Sequence, residues 1–453
     1  MKQFDAIIIG SGQAGTPLTF SLASKGKKVL LVEKKQVGGT CLNVGCTPTK
    51  TYVASARRMW DIKHSEELGI ELNGTFRANL TKVKERKDLL IKKSIEGIRK
   101  GLAKNETITF IEGTANFKAN NVVTVNNVDY SAPQIFINVG GRPLVPAEYA
   151  NVPYLTSDTI LELTDLPEHL IIIGGSYIGL EFGQMFSRFG SKVTIIERGE
   201  TIINREDSEV SESILNFMKG DGVDFVLNAK TIEPAYSNNK IIITTNGNTK
   251  VEGTHLLLAI GRIPNTDTLQ LQNTTITVTE RGIITVDDNC QTNVEGVFAM
   301  GDCNGKGAFT HTAYNDYQVV ENYLFGDQSR HISDRIMTYG LFVDPPLGRV
   351  GLTKKEAVIK GFKVLEGKRE MKIISRAKEK GETNGFMSIL INAESEHIIG
   401  ACVLGVGGDE IITSILNIMN AKLPYTVIRD SVVLHPTVSE LIPTTLENLS
   451  LIN

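Results

Sequence analysis

The chain has 453 residues, of which 41% are hydrophobic and 22% charged, and its 48 basic and 51 acidic side chains leave a net charge of −3. This balance is typical of about two to four globular domains and gives no electrostatic reason to expect nucleic acid or an anionic membrane as a partner. Five cysteines are too few for a disulfide scaffold. An apolar strand begins at Phe4 with no basic leader before it, so we expect a cytoplasmic protein.

The first predicted strand runs directly into a glycine-rich turn and a helix. The glycines are Gly10, Gly12 and Gly15, and the next strand ends in Glu33, 23 residues after Gly10. Glycines in such a turn admit a pyrophosphate, the helix N-terminus stabilises it, and the acid binds ribose hydroxyls. The segment therefore predicts a Rossmann-type dinucleotide-binding unit.

Two cysteines, Cys41 and Cys46, lie between that unit and a helix predicted over 49–60. Pro48 fits the first turn of the helix, so the cysteines should lie at its N-terminus, where the pKa of a thiol falls. This placement favours a redox-active pair. The spacing alone also allows coincidence or half of a zinc site.

A basic segment follows over 82–104, and its apolar residues, including Leu89 and Leu90, recur at helical spacing. It predicts an amphipathic helix whose lysines form the solvent-exposed face.

The strand, turn and helix pattern then appears a second time. Its turn contains Gly174, Ser176 and Gly179, and Glu197 again follows the first glycine by 23 residues. Serine replaces the middle glycine and is small enough to allow a close approach by the nucleotide. The acid favours a free ribose 2′-hydroxyl, which predicts NADH over NADPH, although Arg198 next to it leaves the opposite choice open.

The two glycine turns, the cysteine motif, the segments 135–146 and 256–269, and the run 296–302 together resemble the pyridine nucleotide-disulfide oxidoreductases. That family contains dihydrolipoyl dehydrogenase, glutathione reductase and mercuric reductase, and the resemblance covers essentially the whole chain. It implies an α/β fold with two Rossmann-like domains and a C-terminal α+β dimerisation domain. The implied ranges are 1–145 with 266–335 for FAD, 146–265 for NAD(P), and 336–453 for the interface domain.

The resemblance also implies the roles of individual residues. Electrons would pass from NADH through FAD to a Cys41–Cys46 disulfide, with Cys46 next to the flavin and Cys41 meeting the substrate. His435, oriented by Glu440, would serve as the acid-base partner from the second subunit of a homodimer. No resident metal is predicted.

The same resemblance implies a set of cofactor contacts. Lys50 and Glu181 would pair beside the flavin, and Tyr177 would cover the flavin until nicotinamide displaces it. The implied FAD contacts are Gly10, Gly12, Gly15, Glu33, Thr40, Lys50, Gly301 and Asp302, and the implied NAD(P)H contacts are Gly174, Ser176, Tyr177, Gly179, Glu197 and Gly261.

Three hypotheses remain for the electron acceptor. The stretch 309–316 is most similar to mercuric-reductase-like and reactive-chlorine-resistance flavoproteins, yet residues 447–453 lack the vicinal cysteines of mercuric reductases. A small disulfide or a soft metal or oxidant is the leading expectation. The alternatives are a dihydrolipoyl dehydrogenase of a 2-oxo acid complex and a flavin-bearing redox sensor with little turnover. We expect Cys290, Cys303 and Cys402 to be buried and unreactive. His311 could tune the flavin or pack in its helix, and we favour packing.

Overall fold

The computed structural model describes residues 1–452. Its α-helices are α1 (Gly15–Ser24), α2 (Gly39–Asn43), α3 (Cys46–Lys63), α4 (Leu80–Ala103), α5 (Tyr177–Phe189), α6 (Ser208–Gly220), α7 (Thr310–Phe325), α8 (Lys354–Ile359), α9 (Ser375–Glu379), α10 (Gly408–Asn420), α11 (Thr426–Arg429) and α12 (Leu441–Glu447). Its strands are β1 (Lys2–Gln3), β2 (Ala6–Ile9), β3 (Val29–Glu33), β4 (Ile108–Glu112), β5 (Ala115–Ala119), β6 (Val122–Val125), β7 (Val128–Ser131), β8 (Gln134–Ile137), β9 (Gly141–Pro143), β10 (Leu155–Thr156), β11 (His169–Ile173), β12 (Lys192–Ile196), β13 (Val223–Val226), β14 (Ile232–Ser237), β15 (Lys240–Thr245), β16 (Thr249–Gly253), β17 (His255–Leu258), β18 (Arg262–Pro264), β19 (Val297–Ala299), β20 (Thr338–Leu341), β21 (Leu347–Gly351), β22 (Val364–Glu370), β23 (Phe386–Asn392), β24 (Ile398–Leu404) and β25 (Leu449–Ile452).

Two parallel five-stranded sheets have equivalent strand orders. The first is ordered β19-β8-β2-β3-β4, and the second is ordered β10-β17-β11-β12-β13. Their central strands are continuous runs of isoleucine, leucine and valine that are buried along their length, because parallel sheets are covered on both faces. The repeat found in the sequence is therefore a repeat of the fold, and each copy places a glycine turn at the carboxyl end of its first strand.

The third large sheet is antiparallel and follows the order β20-β21-β24-β23-β22-β25. Helix α10 packs on β21 and β24, and α12 packs on β22. Helix α10 begins at Gly408 and ends at Asn420. Its apolar face, which includes Ile412 and Ile415, belongs to the core of this sheet.

The sheets confirm the predicted fold class of two Rossmann-like units followed by an α+β unit. A two-stranded ribbon of β9 and β18 joins the first two units. The domain boundaries at 145, 265 and 335 stay predictions. Among residues 1–452, no helix has both the length and the apolar character needed to cross a bilayer.

The basic helix α4 differs from the expectation that its lysines form the solvent-exposed face. The helix is present, but Lys87 is buried with its Nζ 3.2 Å from the Leu161 carbonyl oxygen and paired with Glu162. Leu89 and Leu90 are instead 53% and 40% exposed. The helix presents Lys87, rather than these leucines, to the loop at residues 161–162, because that loop offers oxygen acceptors to an ammonium group.

Candidate active site

One large cavity, about 2600 Å³ in volume, lies where the three sheets meet. Both glycine turns, the cysteine pair and the start of α7 line it. The predicted site residues on its wall are Gly10, Gly12, Glu33, Thr40, Cys41, Cys46, Lys50, Gly174, Ser176, Tyr177, Glu181, Glu197, Gly261, Gly301 and Asp302. Gly15, Gly179, His435 and Glu440 lie outside the lining.

The two acids are held in the same way. Glu33 accepts hydrogen bonds from the backbone N–H of Ser11 and of Lys35, both at 2.9 Å. Glu197 accepts from the equivalent N–H groups, those of Gly175 at 2.6 Å and Gly199 at 2.7 Å. Each carboxylate is thus fixed between the glycine turn and its own strand, in the place where a ribose hydroxyl would meet it.

The first glycine of each turn is required by backbone geometry. Gly10 has φ +102° and Gly174 has φ +110°, and a Cβ at either position would lie within 2.4 Å of a carbonyl oxygen. Gly15 and Gly179 serve packing instead, because a Cβ there would lie 2.0 and 1.9 Å from the oxygen of the first glycine. These two residues bring helix and strand together without lining the cavity.

Ser176 is compatible with this turn. Its backbone is extended, with φ −111° and ψ −171°, so the position does not need glycine. The residue is exposed to the cavity, which leaves the approach of a nucleotide unobstructed.

The part of the cavity lined by the first glycine turn, Glu33 and Asp302 fits FAD. Asp302 lies in its wall within the 3₁₀ turn Gly301–Asn304, and among residues 1–452 no side chain donates a hydrogen bond to its carboxylate. Burial raises the pKa of Asp302, while the charge of Arg262 opposes that shift. A half-buried acceptor with no side-chain donor suits the hydroxyl-bearing ribityl chain of the cofactor. The glycine turn and Glu33 would provide the matching pyrophosphate and ribose contacts.

The two cysteines lie at and just before the start of helix α3. This helix begins at Cys46, three residues earlier than the predicted start at residue 49. Cys41 belongs to the short preceding helix α2 and not to α3. Both thiols are free in the structure. The Cys46 Sγ is 3.1 Å from the Thr310 Oγ1, and Thr310 is the first residue of α7. Cys46 therefore lies at the N-termini of two helices, each of which favours a negative charge.

The two thiols differ in acidity. A hydrogen bond from Cys41, assisted by the Thr310 hydroxyl and the Lys50 charge, lowers the pKa of Cys46 to about 6, even though burial opposes the shift. The pKa of Cys41 is raised, because its proton is held by Cys46 and because it is buried. Near neutral pH the pair therefore consists of a Cys46 thiolate and a Cys41 thiol.

The Thr310 contact gives a first prediction. In a Cys41→Ser background, adding Thr310→Val should raise the pKa of Cys46, because the thiolate loses a donor. The rate of alkylation by iodoacetamide at pH 6 should fall by about 3- to 10-fold, and the midpoint of its pH profile should move upward. Thr51→Val is the matched control, since that hydroxyl bonds to the Thr47 carbonyl oxygen at 2.8 Å. An unchanged profile would remove Thr310 from the stabilisation of the thiolate.

Lys50 and Glu181 form the predicted pair across two domains. The Lys50 Nζ lies 2.8 Å from the Glu181 carboxylate and 4.3 Å from the centre of the Phe342 ring. The Phe342 N–H also donates to Glu181 at 3.0 Å. The C-terminal unit thereby helps to fix a cation near the cysteine pair.

His435 and Glu440 form the second predicted pair. The His435 Nδ1 lies 2.8 Å from the Glu440 Oε2, and the imidazole is 80% exposed. Neither residue lies on the cavity wall, so a single chain does not bring them to the cysteines. Val432 and Leu434 next to them are almost fully exposed apolar residues, which is typical of a surface that a partner covers.

The remaining assignments concern packing. Cys290, Cys303 and Cys402 are buried, and burial raises the pKa of each thiol, as expected. The His311 Nε2 lies 2.7 Å from the Thr338 carbonyl oxygen and its ring stacks on Phe309, but the residue also lines the cavity, so its packing role stays a prediction.

Three residues of the site, Asn138, Thr310 and Phe342, were assigned no role from the sequence. Asn138 accepts from the Gly15 N–H and donates to the Met300 carbonyl oxygen, both at 2.9 Å, which locks the first turn to β19. Thr310 and Phe342 reach the site from α7 and the C-terminal unit. Thr310 and Asn138 stood within the resembling segments 309–316 and 135–146 without being assigned a role there. Phe342 belonged to no such segment, and only the tertiary fold brings it to the site.

Comparison with known proteins gives a consistent result. The family model described as pyridine nucleotide-disulphide oxidoreductase matches residues 4–316, and its dimerisation-domain model matches residues 337–446. The chain is 34% identical to the probable pyridine nucleotide-disulfide oxidoreductase RclA of Escherichia coli, over 97% of the chain and 98% of the relative. It is 32% identical to the dihydrolipoyl dehydrogenase of Geobacillus stearothermophilus, over 96% and 94%. A solved structure, the Cu(II) complex of the HOCl-induced flavoprotein disulfide reductase RclA from Escherichia coli, superposes with a TM-score of 0.90 at 32% identity, covering 99% of each chain.

Proposed function

Because the chain belongs to the pyridine nucleotide-disulfide oxidoreductases and is an NAD(P)H-dependent disulfide oxidoreductase using FAD, we propose that it reduces a small disulfide or a soft oxidant that meets Cys41 directly. The position of the Cys46 sulfur, 3.1 Å from the Thr310 hydroxyl and at the N-termini of two helices, is the observation that supports this proposal best, and the lowered pKa of Cys46 beside the raised pKa of Cys41 agrees with it. It gives the cysteines different roles before any substrate arrives.

Each residue of the proposed site has a separate role in the reaction. Bound FAD would supply two-electron transfer between the nicotinamide and the cysteine pair. Lys50, paired with Glu181, holds a positive charge beside that region of the cavity. Cys46 is held as a thiolate, and Cys41 keeps its proton until a base removes it.

Disulfide reduction then follows from thiol exchange. His435 takes the proton of Cys41, and the resulting thiolate attacks one sulfur of the substrate disulfide. The first substrate thiolate leaves with the proton from His435. Cys46 next attacks the Cys41 sulfur, which forms the Cys41–Cys46 disulfide and releases the second substrate sulfur as a thiolate. Two electrons leave the cysteine pair, and the second substrate thiolate takes its proton from water.

The proposed active site is shared between the subunits of a homodimer. The chain has the dimerisation domain of the family. The exposed imidazole of His435, its fixed contact with Glu440 and its exposed apolar neighbours support contact with a second subunit. Through this contact, His435 would reach Cys41 of the partner chain.

We propose NADH as the electron donor, because Glu197 is held where it would repel a 2′-phosphate. The kcat/KM for NADH should exceed that for NADPH by about 10-fold or more, and Glu197→Gln should reduce the ratio by about 5- to 20-fold. Arg198→Ala serves as the matched control, since it removes a neighbouring charge and leaves the acid in place. A tenfold preference of the unmodified enzyme for NADPH would overturn this choice.

Turnover with defined acceptors tests the proposed reaction. Purified FAD-loaded protein with NADH is given lipoamide, glutathione disulfide, cupric and mercuric ions, and hypochlorite-derived oxidants in parallel. We expect fast turnover with one disulfide or soft oxidant. Fast reduction of NAD⁺ by dihydrolipoamide would favour a dihydrolipoyl dehydrogenase, and negligible turnover with every acceptor would favour a redox sensor.

Cupric ion is a second candidate acceptor, favoured by the similarity to a flavoprotein disulfide reductase solved as a Cu(II) complex. Two adjacent sulfur ligands suit Cu(I). In a balanced step, two Cu(II) ions each take one electron from the Cys46 thiolate and Cys41 thiol, which become the Cys41–Cys46 disulfide and release one proton.

A further inference from the structure

Tyr177, at the mouth of the second glycine turn, is enclosed by aromatic rings from other parts of the chain. Its ring meets Phe309 edge-on, with centroids 6.2 Å apart, and meets Tyr339 edge-on at 5.5 Å. The Tyr177 hydroxyl is buried and has no hydrogen-bond partner within residues 1–452. Packing against these rings, and not a hydrogen bond, therefore holds Tyr177 in the cavity.

The rings that hold it form a stack, which we call the aromatic ladder: His311, Phe309 and Tyr339. Phe309 stacks on His311 at 5.4 Å and on Tyr339 at 5.7 Å, with interplanar angles of 9° and 10°. Thr310, between the first two ladder residues in sequence, contacts the Cys46 sulfur. The ladder thus extends from the cysteine pair to Tyr177.

A buried ionic group anchors the end of the ladder at Tyr339. The Tyr339 hydroxyl donates to the Glu206 carboxylate, which also accepts from the Arg349 guanidinium at 3.1 Å. The Glu206 side chain is fully buried and that of Arg349 is 2% exposed. Tyr339 and Arg349 are direct cross-strand neighbours on β20 and β21, so both side chains point from the same face of the C-terminal sheet.

Glu206 does not belong to the C-terminal sheet that carries Tyr339 and Arg349. It precedes α6 in the nucleotide-binding unit, and its neighbour Asp207 also accepts from Arg349, at 3.2 Å. A fully paired ionic group in a dry interior has one well-defined arrangement. The position of the Tyr339 ring is therefore fixed from two domains.

We infer that Glu206 and Tyr339 are positioning residues for Tyr177, setting how easily a nicotinamide nucleotide displaces its ring. The inference rests on the proposed role of Tyr177 as the ring that nicotinamide displaces. Displacement must break the edge-on contacts with a ladder that cannot move aside. Breaking these contacts uses part of the free energy of nucleotide binding. We therefore expect the nucleotide to bind more tightly when the ladder is loosened.

Tyr339→Phe is the informative variant. It keeps the ring, its stacking on Phe309 and the charge pair of Glu206 with Arg349, and it removes only the hydroxyl that ties the ring to the carboxylate. Tyr52→Phe is the matched control, since it also removes one buried tyrosine hydroxyl, bonded to the Leu161 carbonyl oxygen at 3.1 Å, without touching the ladder.

The experiment measures the Kd of NAD⁺ for the FAD-loaded dimer by calorimetry, in a double-mutant cycle of Tyr339→Phe with Tyr177→Ala. We expect Tyr177→Ala to lower the Kd by about 5- to 10-fold and Tyr339→Phe to lower it by about 3-fold. The double variant should bind no more tightly than Tyr177→Ala alone. Tyr52→Phe should leave the Kd unchanged.

The outcomes distinguish a failure of the positioning role of Tyr339 from a failure of the proposed role of Tyr177. If Tyr177→Ala leaves the Kd unchanged or raises it, nicotinamide does not displace Tyr177, and the proposed role of that residue falls together with the inference. If Tyr177→Ala tightens binding while Tyr339→Phe has no effect, or has the same effect in both backgrounds, only the positioning role is overturned.

Discussion

Replacing Cys41 with serine should lower kcat/KM for a disulfide acceptor by about 1000-fold or more. A serine hydroxyl stays protonated at neutral pH and cannot attack a disulfide, whereas the imidazole needs only to remove a thiol proton from Cys41. Cys46→Ser should stop turnover equally, because the mixed disulfide on Cys41 then has no neighbouring thiolate to resolve it.

The two variants should differ in the reactivity of the remaining thiol. Cys41→Ser leaves Cys46 beside Thr310 and Lys50, so alkylation by iodoacetamide at pH 7 should be fast. Cys46→Ser leaves Cys41 near the Thr310 hydroxyl but without the help of the Lys50 charge, and it is partly buried, so alkylation should be slower by about 10-fold. Cys402→Ala, at a buried thiol, should keep full activity. Equal alkylation rates in the two serine variants would show that the thiol roles are assigned wrongly.

His435→Ala should slow disulfide turnover by about 100-fold while leaving the reduction of bound FAD by NADH unchanged. The imidazole lies outside the cavity of its own chain, so we expect it to serve only the proposed exchange steps at Cys41. Glu440→Gln should produce a smaller loss, about 5- to 20-fold, since it removes the oriented carboxylate bonded to the His435 Nδ1 and keeps the imidazole.

Mixed dimers distinguish a shared site from a site within one chain. A heterodimer of one Cys41→Ser chain and one His435→Ala chain contains one intact site if the cysteine and histidine come from different subunits. Its activity should then be about half that of the unmodified dimer, roughly 50-fold above the His435→Ala homodimer. If both groups act within one chain, neither site of the heterodimer is intact and its activity stays near the background.

The sequence predicted the repeated units well, because each part of the repeat has a local physical reason. Gly10 needs a positive φ, Gly15 must pack against its oxygen, and Glu33 must end the next strand. The pairing of Lys50 with Glu181 was accessible only through the family resemblance, since 131 positions separate the two residues.

The errors and omissions have a common cause in tertiary packing. Helical spacing placed Leu89 and Leu90 on the buried face of α4, but spacing does not show which neighbours a helix meets. Lys87 is buried because the loop at 161–162 offers it oxygen acceptors. Phe342 and Asn138 reach the site from the ends of distant strands. Asn138 lies in the 135–146 segment, but no local pattern shows its contacts with the Gly15 and Met300 backbone, and Phe342 belongs to no recognised segment.

An anaerobic titration of the FAD-loaded protein with NADH tests the central claim, that Cys41 and Cys46 are the redox pair. About one equivalent of NADH per chain should make two thiols per chain reactive toward a thiol reagent. A long-wavelength absorbance band from the Cys46 thiolate against bound FAD should appear with them and be absent from Cys46→Ser. An unchanged thiol count after full uptake of the NADH, or a band that persists in Cys46→Ser, would contradict the account.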